Sequence, residues 1–215
     1  VMRVNGPRGH FVGKRPLQIA VTLIGLAGAM PSIAQSVPSV EPATACEALK
    51  SADFTSIQDA ATQLTGTKMV AAAGELPAHC FVQGYVAPNV GFILRLPGPS
   101  DWNGKFAEVA PGGYGGSKAV EITMTPWCED FLRRGYACIA QDTGHTGGVG
   151  LDATWAYNNL QAEFDYGIRA ANVAALAGKA ITQHYYKAPP KYSYFMGCSG
   201  GGKQALVQAQ RYPWN

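Results

Sequence analysis

Apolar and polar positions along residues 46–215 follow two periods, one typical of strands and one typical of helices. Apolar runs bounded by Gly, Pro or polar turns predict strands at residues 68–73, 79–87, 90–96, 105–110, 136–141 and 192–196. Apolar residues at helical spacing predict helices at residues 46–64, 125–134, 163–186 and 203–211. In the long helix 163–186 the pattern predicts a core face made of Phe164, Ile168, Ala171, Ala175, Leu176 and Ile181.

The last predicted strand and helix enclose a sharp turn, Gly197-Cys198-Ser199-Gly200-Gly201. Its G-x-S-x-G pattern is the nucleophile-elbow signature of α/β-hydrolases, in which a strained turn exposes the serine hydroxyl. Glycines two residues before and after the serine fit the narrow space between strand and helix. We therefore predict an α/β fold of this type, with Ser199 as the nucleophile and the Gly200 N–H as an oxyanion donor.

Two other interpretations of this turn are open at the level of sequence. The serine could simply cap the helix that follows. Alternatively, Gly197-x-x-x-x-Gly202-Lys203 matches the first part of a phosphate-binding P-loop, which would make the protein a nucleotide binder. Gln204 stands where that motif needs Ser or Thr to hold Mg²⁺, which counts against nucleotide binding.

A second glycine-rich turn, residues 111–116, follows the predicted strand 105–110. In α/β-hydrolases the second oxyanion donor comes from a loop after an early strand. We predict the N–H of Gly113 as this donor, with the N–H of Tyr114 as the alternative, and we expect Gly112 and Tyr114 to contact substrate. A flexible loop without a role in binding is the competing interpretation. His145, at the end of strand 136–141, either lines the pocket or belongs to a hydrogen-bonded loop, the role we favour.

Composition and charge limit the possible partners. The chain is 47% apolar and 14% charged, with a net charge of +3, which indicates a folded core. Several basic residues lie within the first fifteen positions, so the remainder carries no basic patch and we expect no nucleic-acid partner.

The N-terminal basic residues precede an apolar run at residues 17–30, which is short for a membrane span. Pro31 and the small residues Ser32 and Ala34 follow, as at a signal-peptide cleavage site. We predict a signal peptide at residues 1–34, a linker at 35–45 and export to the periplasm or beyond, with no membrane association after cleavage. An uncleaved N-terminal anchor is the alternative.

Export would place five cysteines in an oxidising compartment, where most of them should be bridged. Their spacing matches no zinc pattern. A Cys46–Cys80 disulfide would tie the start of the mature chain to its body. Cys128 and Cys138 either pair with each other or remain buried thiols, and Cys198 is left over beside the predicted nucleophile.

These features resemble one family closely, the tannase and feruloyl esterase family, which includes mono(hydroxyethyl) terephthalate hydrolases. The resemblance covers nearly all of the predicted mature chain. It rests on the segments 77–80 (PAHC), 102–105 (WNGK), 112–116 (GGYGG), 134–137 (RGYA), 142–145 (DTGH), 192–195 (YSYF) and 197–199 (GCS). One departure is Gly200, which stands where the family usually has Thr or a larger residue.

The resemblance implies an exported α/β-hydrolase with a Ser-Asp-His triad, no cofactor for its chemistry and a large lid that often carries a structural Ca²⁺ ion. It also implies that Cys198 forms a disulfide with a cysteine beside the catalytic histidine. No Asp, Glu or His follows Ser199, although the triad order is Ser, Asp, His along the chain. We therefore expect residues 46–215 to be the N-terminal part of the catalytic domain, without the lid, the last strands, the catalytic Asp and the His, and to be inactive alone.

The predicted function is a secreted carboxylic ester hydrolase that forms a serine acyl-enzyme. Its expected partner is a small aromatic ester, with feruloyl, galloyl and terephthalate half-esters all open. The alternatives are the P-loop nucleotide binder and a non-catalytic, hydrolase-like binding module.

Overall fold

A computed structural model describes residues 44–98, 100–116, 120, 125–147 and 150–214 of the chain. The chain divides into the units Val1–Ser36 and Val37–Asn215, and the first lies outside the described residues. The predicted signal peptide and nearly all of the predicted linker therefore also lie outside them. In the part of the chain that is described, no helix has the length and apolarity needed to cross a bilayer.

Six described strands form one mixed sheet in the order β1-β2-β3-β5-β4-β6. The strands are β1 (Thr62–Val70), β2 (His79–Val86), β3 (Val90–Pro97), β4 (Lys105–Ala110), β5 (Ala137–Gln141) and β6 (Tyr192–Gly197). β1, β2, β3 and β5 pair antiparallel in turn, whereas β5, β4 and β6 are parallel. In the β4–β6 register Lys105 lies opposite Tyr192 and Ala110 opposite Gly197.

Three of the described helices connect the parallel strands, and a fourth follows the last strand. They are α1 (Thr125–Arg133), α2 (Leu160–Phe164), α3 (Ala170–Tyr186) and α4 (Gly200–Arg211). A π-helical turn, Asp165–Arg169, joins α2 to α3, and short 3₁₀ helices occupy Glu47–Ser51 and Thr154–Ala156.

Different helices cover the two faces of the sheet. Neighbouring residues of a strand point to opposite faces, so adjacent residues of β4 contact different helices. Ala107 and Val109 of β4 belong to a cluster with Phe131 of α1. Phe106 points to the other face, where an added Cβ on Gly178 of α3 would lie 2.7 Å from its ring. The small residue at position 178 therefore lets α3 lie close against the sheet.

The parallel strands bring three loops to one edge of the sheet. The chain runs from β4 to β5 on one side of β4 and then from β5 back past β4 to β6 on its other side, so the strand order reverses at β4. Such a switch point, at the carboxyl ends of the strands, is where α/β proteins bind ligands. The loops that follow Ala110, Gln141 and Gly197 meet there.

The structure confirms most predicted elements, shifts one strand and corrects two helices. The strand predicted at residues 68–73 is β1, which runs from Thr62 to Val70 and so begins six residues earlier. The helix predicted at residues 46–64 is wrong: a 3₁₀ helix ends at Ser51, and β1 already begins at Thr62. Asp53 accepts a hydrogen bond from the Thr55 N–H (2.8 Å), and such a local turn competes with helix. Leu49 and Phe54 still reach the core, 0% and 5% exposed, without helical geometry between them.

The long helix predicted at residues 163–186 is divided by the π-helical turn. A π turn inserts an extra residue and so shifts the faces on which side chains lie before and after it. Ile181 is buried as predicted, but Phe164 is half exposed rather than part of the core.

Two disulfides join distant parts of this fold. Cys46 bonds to Cys80 of β2, and Cys128 of α1 bonds to Cys138 of β5. The second pairing answers the question that the sequence left open for Cys128 and Cys138. Cys198 has a free, exposed thiol.

Candidate active site

Ser199 occupies a strained turn between β6 and α4. Its backbone angles, φ 55° and ψ −118°, lie in a region that residues with a side chain rarely adopt. The turn is tight because its glycines touch: an added Cβ on Gly197 would lie 2.8 Å from Gly201 Cα, and one on Gly201 would overlap the Ala110 carbonyl oxygen. Both glycines of the G-x-S-x-G pattern are therefore required by close backbone approach.

The side chain of Ser199 is exposed and makes no capping hydrogen bond to α4. This finding argues against the interpretation in which the serine only caps the helix, because a cap works through such a bond. The strained conformation lifts the hydroxyl off the end of the sheet, which suits a nucleophile.

The glycine-rich loop after β4 folds into a turn beside this serine. The Gly115 N–H donates to the Gly112 carbonyl oxygen (3.2 Å), and Gly113 has a φ of 58°. An added Cβ on Gly112 would lie 3.8 Å from Ser199 Cβ. A substrate carbonyl at Ser199 would therefore meet the backbone of this loop.

The two predicted oxyanion donors, Gly113 and Gly200, lie next to each other. The ideal Cβ position of Gly200 is 3.2 Å from the Gly113 nitrogen. Within the described part of the chain, neither of these two N–H groups donates a hydrogen bond. The Tyr114 N–H, the alternative donor, instead donates to the Gly150 carbonyl oxygen at 3.1 Å. Of the two candidates in the loop, Gly113 is the one whose N–H has no acceptor among the described residues.

The turn after β5 holds the glycine loop in place. His145 Nε2 lies 2.7 Å from the Tyr114 carbonyl oxygen, and the Thr143 hydroxyl lies 3.0 Å from the same oxygen. The Gly116 N–H donates to the Asp142 carbonyl oxygen at 3.0 Å. His145 is buried and stacks on Trp155. Its place is thus in a hydrogen-bonded loop, as favoured from the sequence.

An aromatic cluster flanks the glycine loop, and the sequence analysis did not predict it. Trp155 and Tyr166 contact the Tyr114 ring, at centroid distances of 6.3 and 5.7 Å, and each other at 5.4 Å. The predicted helix 163–186 places residue 166 in a regular helix, and residue 155 lies outside every predicted element, so neither helical periodicity nor a motif indicates this arrangement.

Among the described residues, the structure brings no histidine base to Ser199. Among the described histidines, His79 lies 3.0 Å from the Pro77 carbonyl oxygen, His145 is bound to Tyr114, and His184 packs edge-on against Phe54. Within the described residues, none of them forms a hydrogen bond with the serine. The described site therefore contains the predicted nucleophile and the predicted oxyanion donors, and among the described residues no histidine is placed as their acid–base partner.

The residues of the alternative P-loop are used for packing. Lys203 Nζ donates to the Tyr166 carbonyl oxygen at 2.7 Å, and Gln204 Oε1 accepts a hydrogen bond from Gln141 Nε2 at 2.7 Å. Gln204 is buried, so it cannot reach a metal ion at the loop. Nucleotide binding has no support in this geometry.

Among the buried carboxyl groups of the described residues, those of Asp142 and Glu108 have raised pKa values. Burial raises the pKa of Asp142 to about 7, against the hydrogen bonds from the Gly144 and Gly91 N–H groups, which lower it. Burial also raises the pKa of Glu108 well above its usual value. Among the described residues, no group of three or more His, Cys, Asp or Glu side chains could hold a metal ion. The Ca²⁺ site implied by the resemblance would belong to the lid, outside this chain.

The family described as "Tannase and feruloyl esterase" matches residues 74–215, which is 142 of the 215 residues. The chain belongs to the tannase and feruloyl esterase family. A probable feruloyl esterase from Arthroderma benhamiae is 37% identical over 133 residues, which cover 60% of this chain and 24% of that protein. A mono(2-hydroxyethyl) terephthalate hydrolase from Piscinibacter sakaiensis is 30% identical over 190 residues, covering 79% of this chain and 32% of that protein.

Solved structures of tannase and feruloyl esterase type share the fold. Feruloyl esterase B from Aspergillus oryzae superposes with a TM-score of 0.57 at 21% identity, over 78% of this chain and 34% of that one. The tannin acyl hydrolase from Aspergillus niger gives 0.55 at 21% identity, over the same shares. The chain thus has the sheet and elbow of an α/β-hydrolase, and it spans about a quarter to a third of the relatives' length.

Proposed function

We propose that this chain is the N-terminal part of a secreted serine carboxylesterase that acts on esters of aromatic acids. The observation that carries the proposal is the strained, uncapped Ser199, which lies beside two N–H groups without acceptors among the described residues. A nucleophile and an oxyanion site at the carboxyl edge of a sheet are what acyl transfer requires.

In this mechanism the Ser199 hydroxyl attacks the ester carbonyl carbon, and its proton passes to a histidine base. The Gly113 and Gly200 N–H groups stabilise the negative oxygen of the tetrahedral intermediate, and each such donor contributes about 3–4 kcal/mol. The alcohol leaves with a proton, which gives an acyl-enzyme on Ser199. Water then attacks that ester, releases the aromatic acid and restores the serine. No cofactor takes part.

The substrate class follows from the relatives and from the aromatic cluster. The relatives are named for feruloyl and hydroxyethyl terephthalate esters. In both acyl groups the carbonyl is conjugated with a benzene ring, directly in the terephthalate and through a CH=CH unit in the feruloyl group. Gly112 lies against Ser199, and the Tyr114 ring faces Trp155 and Tyr166. We infer that Gly112 and Tyr114 contact the acyl group, and that its ring packs near these aromatic side chains.

The proposal includes the regions that this chain does not supply. A longer protein would contribute the catalytic Asp and His, the lid with its Ca²⁺ ion and a cysteine that pairs with Cys198. Residues 1–34 would be removed as a signal peptide, and residues 35–45 would link to the catalytic domain. The Cys46–Cys80 and Cys128–Cys138 disulfides suit an oxidising compartment. Without a base, the 215-residue chain would be inactive.

The test is a comparison of the longer protein, its Ser199→Ala variant and the 215-residue chain. Hydrolysis of methyl ferulate, methyl gallate and mono(2-hydroxyethyl) terephthalate would be followed by release of the acid. We expect turnover by the longer protein, loss of at least a thousandfold in Ser199→Ala, and no turnover by the 215-residue chain. Ser193→Ala, an exposed serine on the same strand, serves as the matched control and should keep full activity.

Two results would contradict the proposal. Full activity of Ser199→Ala would show that Ser199 is not the nucleophile. Binding of the esters without hydrolysis by the longer protein would instead support the non-catalytic binding module.

A further inference from the structure

The peptide that joins Gly113 to Tyr114 is held at both ends. The Tyr166 hydroxyl donates to the Gly113 carbonyl oxygen at 3.3 Å, and the Tyr114 N–H donates to the Gly150 carbonyl oxygen at 3.1 Å. The preceding peptide carries the Gly113 N–H, the proposed oxyanion donor. The two peptides share the Gly113 Cα, so holding the second one limits the directions in which that N–H can point.

Tyr166 is held in turn by the helix that carries the other donor. Lys203 Nζ donates to the Tyr166 carbonyl oxygen at 2.7 Å and lies 3.7 Å from the centre of the Tyr166 ring. Lys203 is part of the first turn of α4, which begins at Gly200. Burial lowers the pKa of this amine, and no ion pair of Lys203 exists within the described residues. Its described polar contacts are thus directed to Tyr166.

Tyr166 lies in an unusual backbone conformation that neighbouring residues hold in place. The residue lies in the π-helical turn Asp165–Arg169, and such turns are rare and frequent at functional sites. Asp165, 1% exposed, pairs with Arg169 at 2.7 Å and packs against Gly144, where an added Cβ would overlap it. The turn is thereby anchored to the loop after β5 and presents residue 166 to the glycine loop.

We propose that Tyr166 and Lys203 form a positioning clamp that sets the distance and orientation of the two oxyanion donors, Gly113 and Gly200. The inference rests on the proposed serine esterase function and assigns these two residues a part in it. Tyr166 acts through the Gly113 backbone rather than on the substrate, so it is a positioning residue. Gly113 needs such support because a glycine at a φ of 58° has little conformational restraint of its own.

The clamp positions the Gly113 N–H, which in the proposed mechanism donates its hydrogen bond mainly in the transition state. An interaction that is stronger in the transition state than in the bound substrate changes kcat and leaves KM nearly constant. A displacement of a donor by about 1 Å reduces the rate by up to about a hundredfold. Loss of the Tyr166 hydroxyl should therefore lower kcat by about 10- to 100-fold with less than a twofold change in KM.

The experiment compares the longer protein with its Tyr166→Phe and Lys203→Met variants and the double variant. Tyr166→Phe keeps the ring below Lys203 and removes only the hydroxyl. Tyr157→Phe, 82% exposed, is the matched control and should behave as the parent. Titration with an aryl phosphonate that labels the nucleophile gives the fraction of active sites, so that kcat is counted per competent enzyme. Thermal unfolding of each variant is measured in parallel.

We expect each single variant to lose kcat per labelled site, and the double variant to lose little more than the larger single effect, because both residues act on one clamp. A purely structural role would lower the melting temperature or the labelled fraction and leave kcat per site unchanged, which would overturn the inference. Tyr166→Phe with parental kcat while Ser199→Ala is inactive would overturn the clamp alone. Activity that survives Ser199→Ala would overturn the proposed function and the clamp with it.

Discussion

Gly200 and Gly113 approach so closely that no side chain fits between them. A Cβ on Gly200 would overlap the Gly113 carbonyl oxygen and would lie 3.2 Å from the Gly113 nitrogen. Gly200, the residue after the proposed nucleophile, differs from the usual family choice of Thr or a larger residue and is thus matched to the path of the glycine loop. Gly200 and Gly113 together set the distance between the two N–H groups of the proposed oxyanion site.

Gly200→Ala should therefore disturb the site more than a helix start normally would. The added methyl group must push the glycine loop away, and overpacking of this kind costs about 1–3 kcal/mol. We expect a lower melting temperature in the 215-residue chain and at least a tenfold loss of kcat in the longer protein. Differential scanning calorimetry and steady-state hydrolysis of methyl ferulate measure the two effects.

Gly202→Ala is the matched control, two residues further along α4. Its added Cβ would lie 3.8 Å from the Gly197 carbonyl oxygen, which is an ordinary contact. Alanine favours helix over glycine by up to about 1 kcal/mol, so this variant should be as stable as the parent or more so. Equal behaviour of the two variants would contradict the close approach of Gly200 and Gly113.

The elements that the sequence predicted well are those with local physical causes. The G-x-S-x-G turn is specified by three adjacent requirements, two close backbone approaches and one strained serine, and all lie within five residues. The predicted bounds of strand 105–110 agree with β4 because Gly104 and Pro111 limit it on both sides. A glycine or proline that ends a strand can be recognised without knowledge of the rest of the chain.

The elements that failed depend on distant partners. Leu49, Phe54, Ile57 and Leu64 have helical spacing, but Leu64 instead pairs opposite Gly84 of β2. The position of Tyr166 beside the glycine loop could not be predicted, because the single extra residue of a π turn does not visibly change the pattern of apolar residues. The direction in which its hydroxyl points depends on the packing of α3, α4 and the glycine loop together.

Gln204 should act as a structural residue rather than as part of a nucleotide site. It accepts a hydrogen bond from Gln141 Nε2 (2.7 Å), and Gln141 Oε1 accepts the Thr143 N–H at 2.6 Å. Gln204→Leu removes the acceptor that Gln141 Nε2 uses, and the loss of a buried hydrogen-bond partner costs about 1–3 kcal/mol. Gln210→Leu, an exposed glutamine on the same helix, should change the free energy of unfolding by less than about 0.5 kcal/mol.

Urea unfolding of the 215-residue chain measures both free energies. An unchanged midpoint for Gln204→Leu would contradict the buried hydrogen-bond chain. Gln204→Ser offers a further check on the P-loop alternative, since a serine at this position completes that motif. We expect no MgATP binding by this variant in calorimetric titration.

The cysteines should give different thiol counts in the short and the long protein. In the 215-residue chain both internal disulfides are formed and Cys198 is exposed, so one thiol per chain should react with a thiol reagent. In the longer protein we expect none, because Cys198 would pair with the proposed later cysteine. One reactive thiol in the longer protein would contradict that pairing, and Cys198→Ser of the short chain provides the zero reference.

The two internal disulfides should differ in how much they stabilise the fold. The Cys46–Cys80 bridge spans 34 residues and Cys128–Cys138 spans 10. In the chain-entropy model the longer loop contributes about 4 kcal/mol and the shorter about 3 kcal/mol. The double variants Cys46→Ser/Cys80→Ser and Cys128→Ser/Cys138→Ser, compared by urea unfolding, test whether this order holds.

Asp142 should make the stability of the chain fall as the pH rises. Its pKa is raised from 3.8 to about 7, mainly by burial and in small part by the neighbouring Asp165, which itself pairs with Arg169. Between pH 4 and 7 the unfolded chain ionises this carboxyl while the folded chain keeps it protonated. The unfolded state then binds fewer protons, so the free energy of unfolding decreases with pH, and the loss is complete above pH 7.

Asp142→Asn removes this titration and keeps an oxygen that can accept the Gly91 and Gly144 N–H groups. Relative to the parent, the variant should gain about 2–3 kcal/mol in free energy of unfolding between pH 5 and pH 8. Measuring the difference at both pH values cancels the contribution of Glu108, whose raised pKa acts in the same direction in both proteins.

Asp152→Asn is the control: Asp152 is exposed and its pKa is lowered by hydrogen bonds from Thr154, so no gain at high pH is expected. An identical pH dependence of the parent and Asp142→Asn would show that Asp142 is already ionised in the folded chain at pH 5, and that the loop after β5 supports a charged carboxylate behind the candidate site.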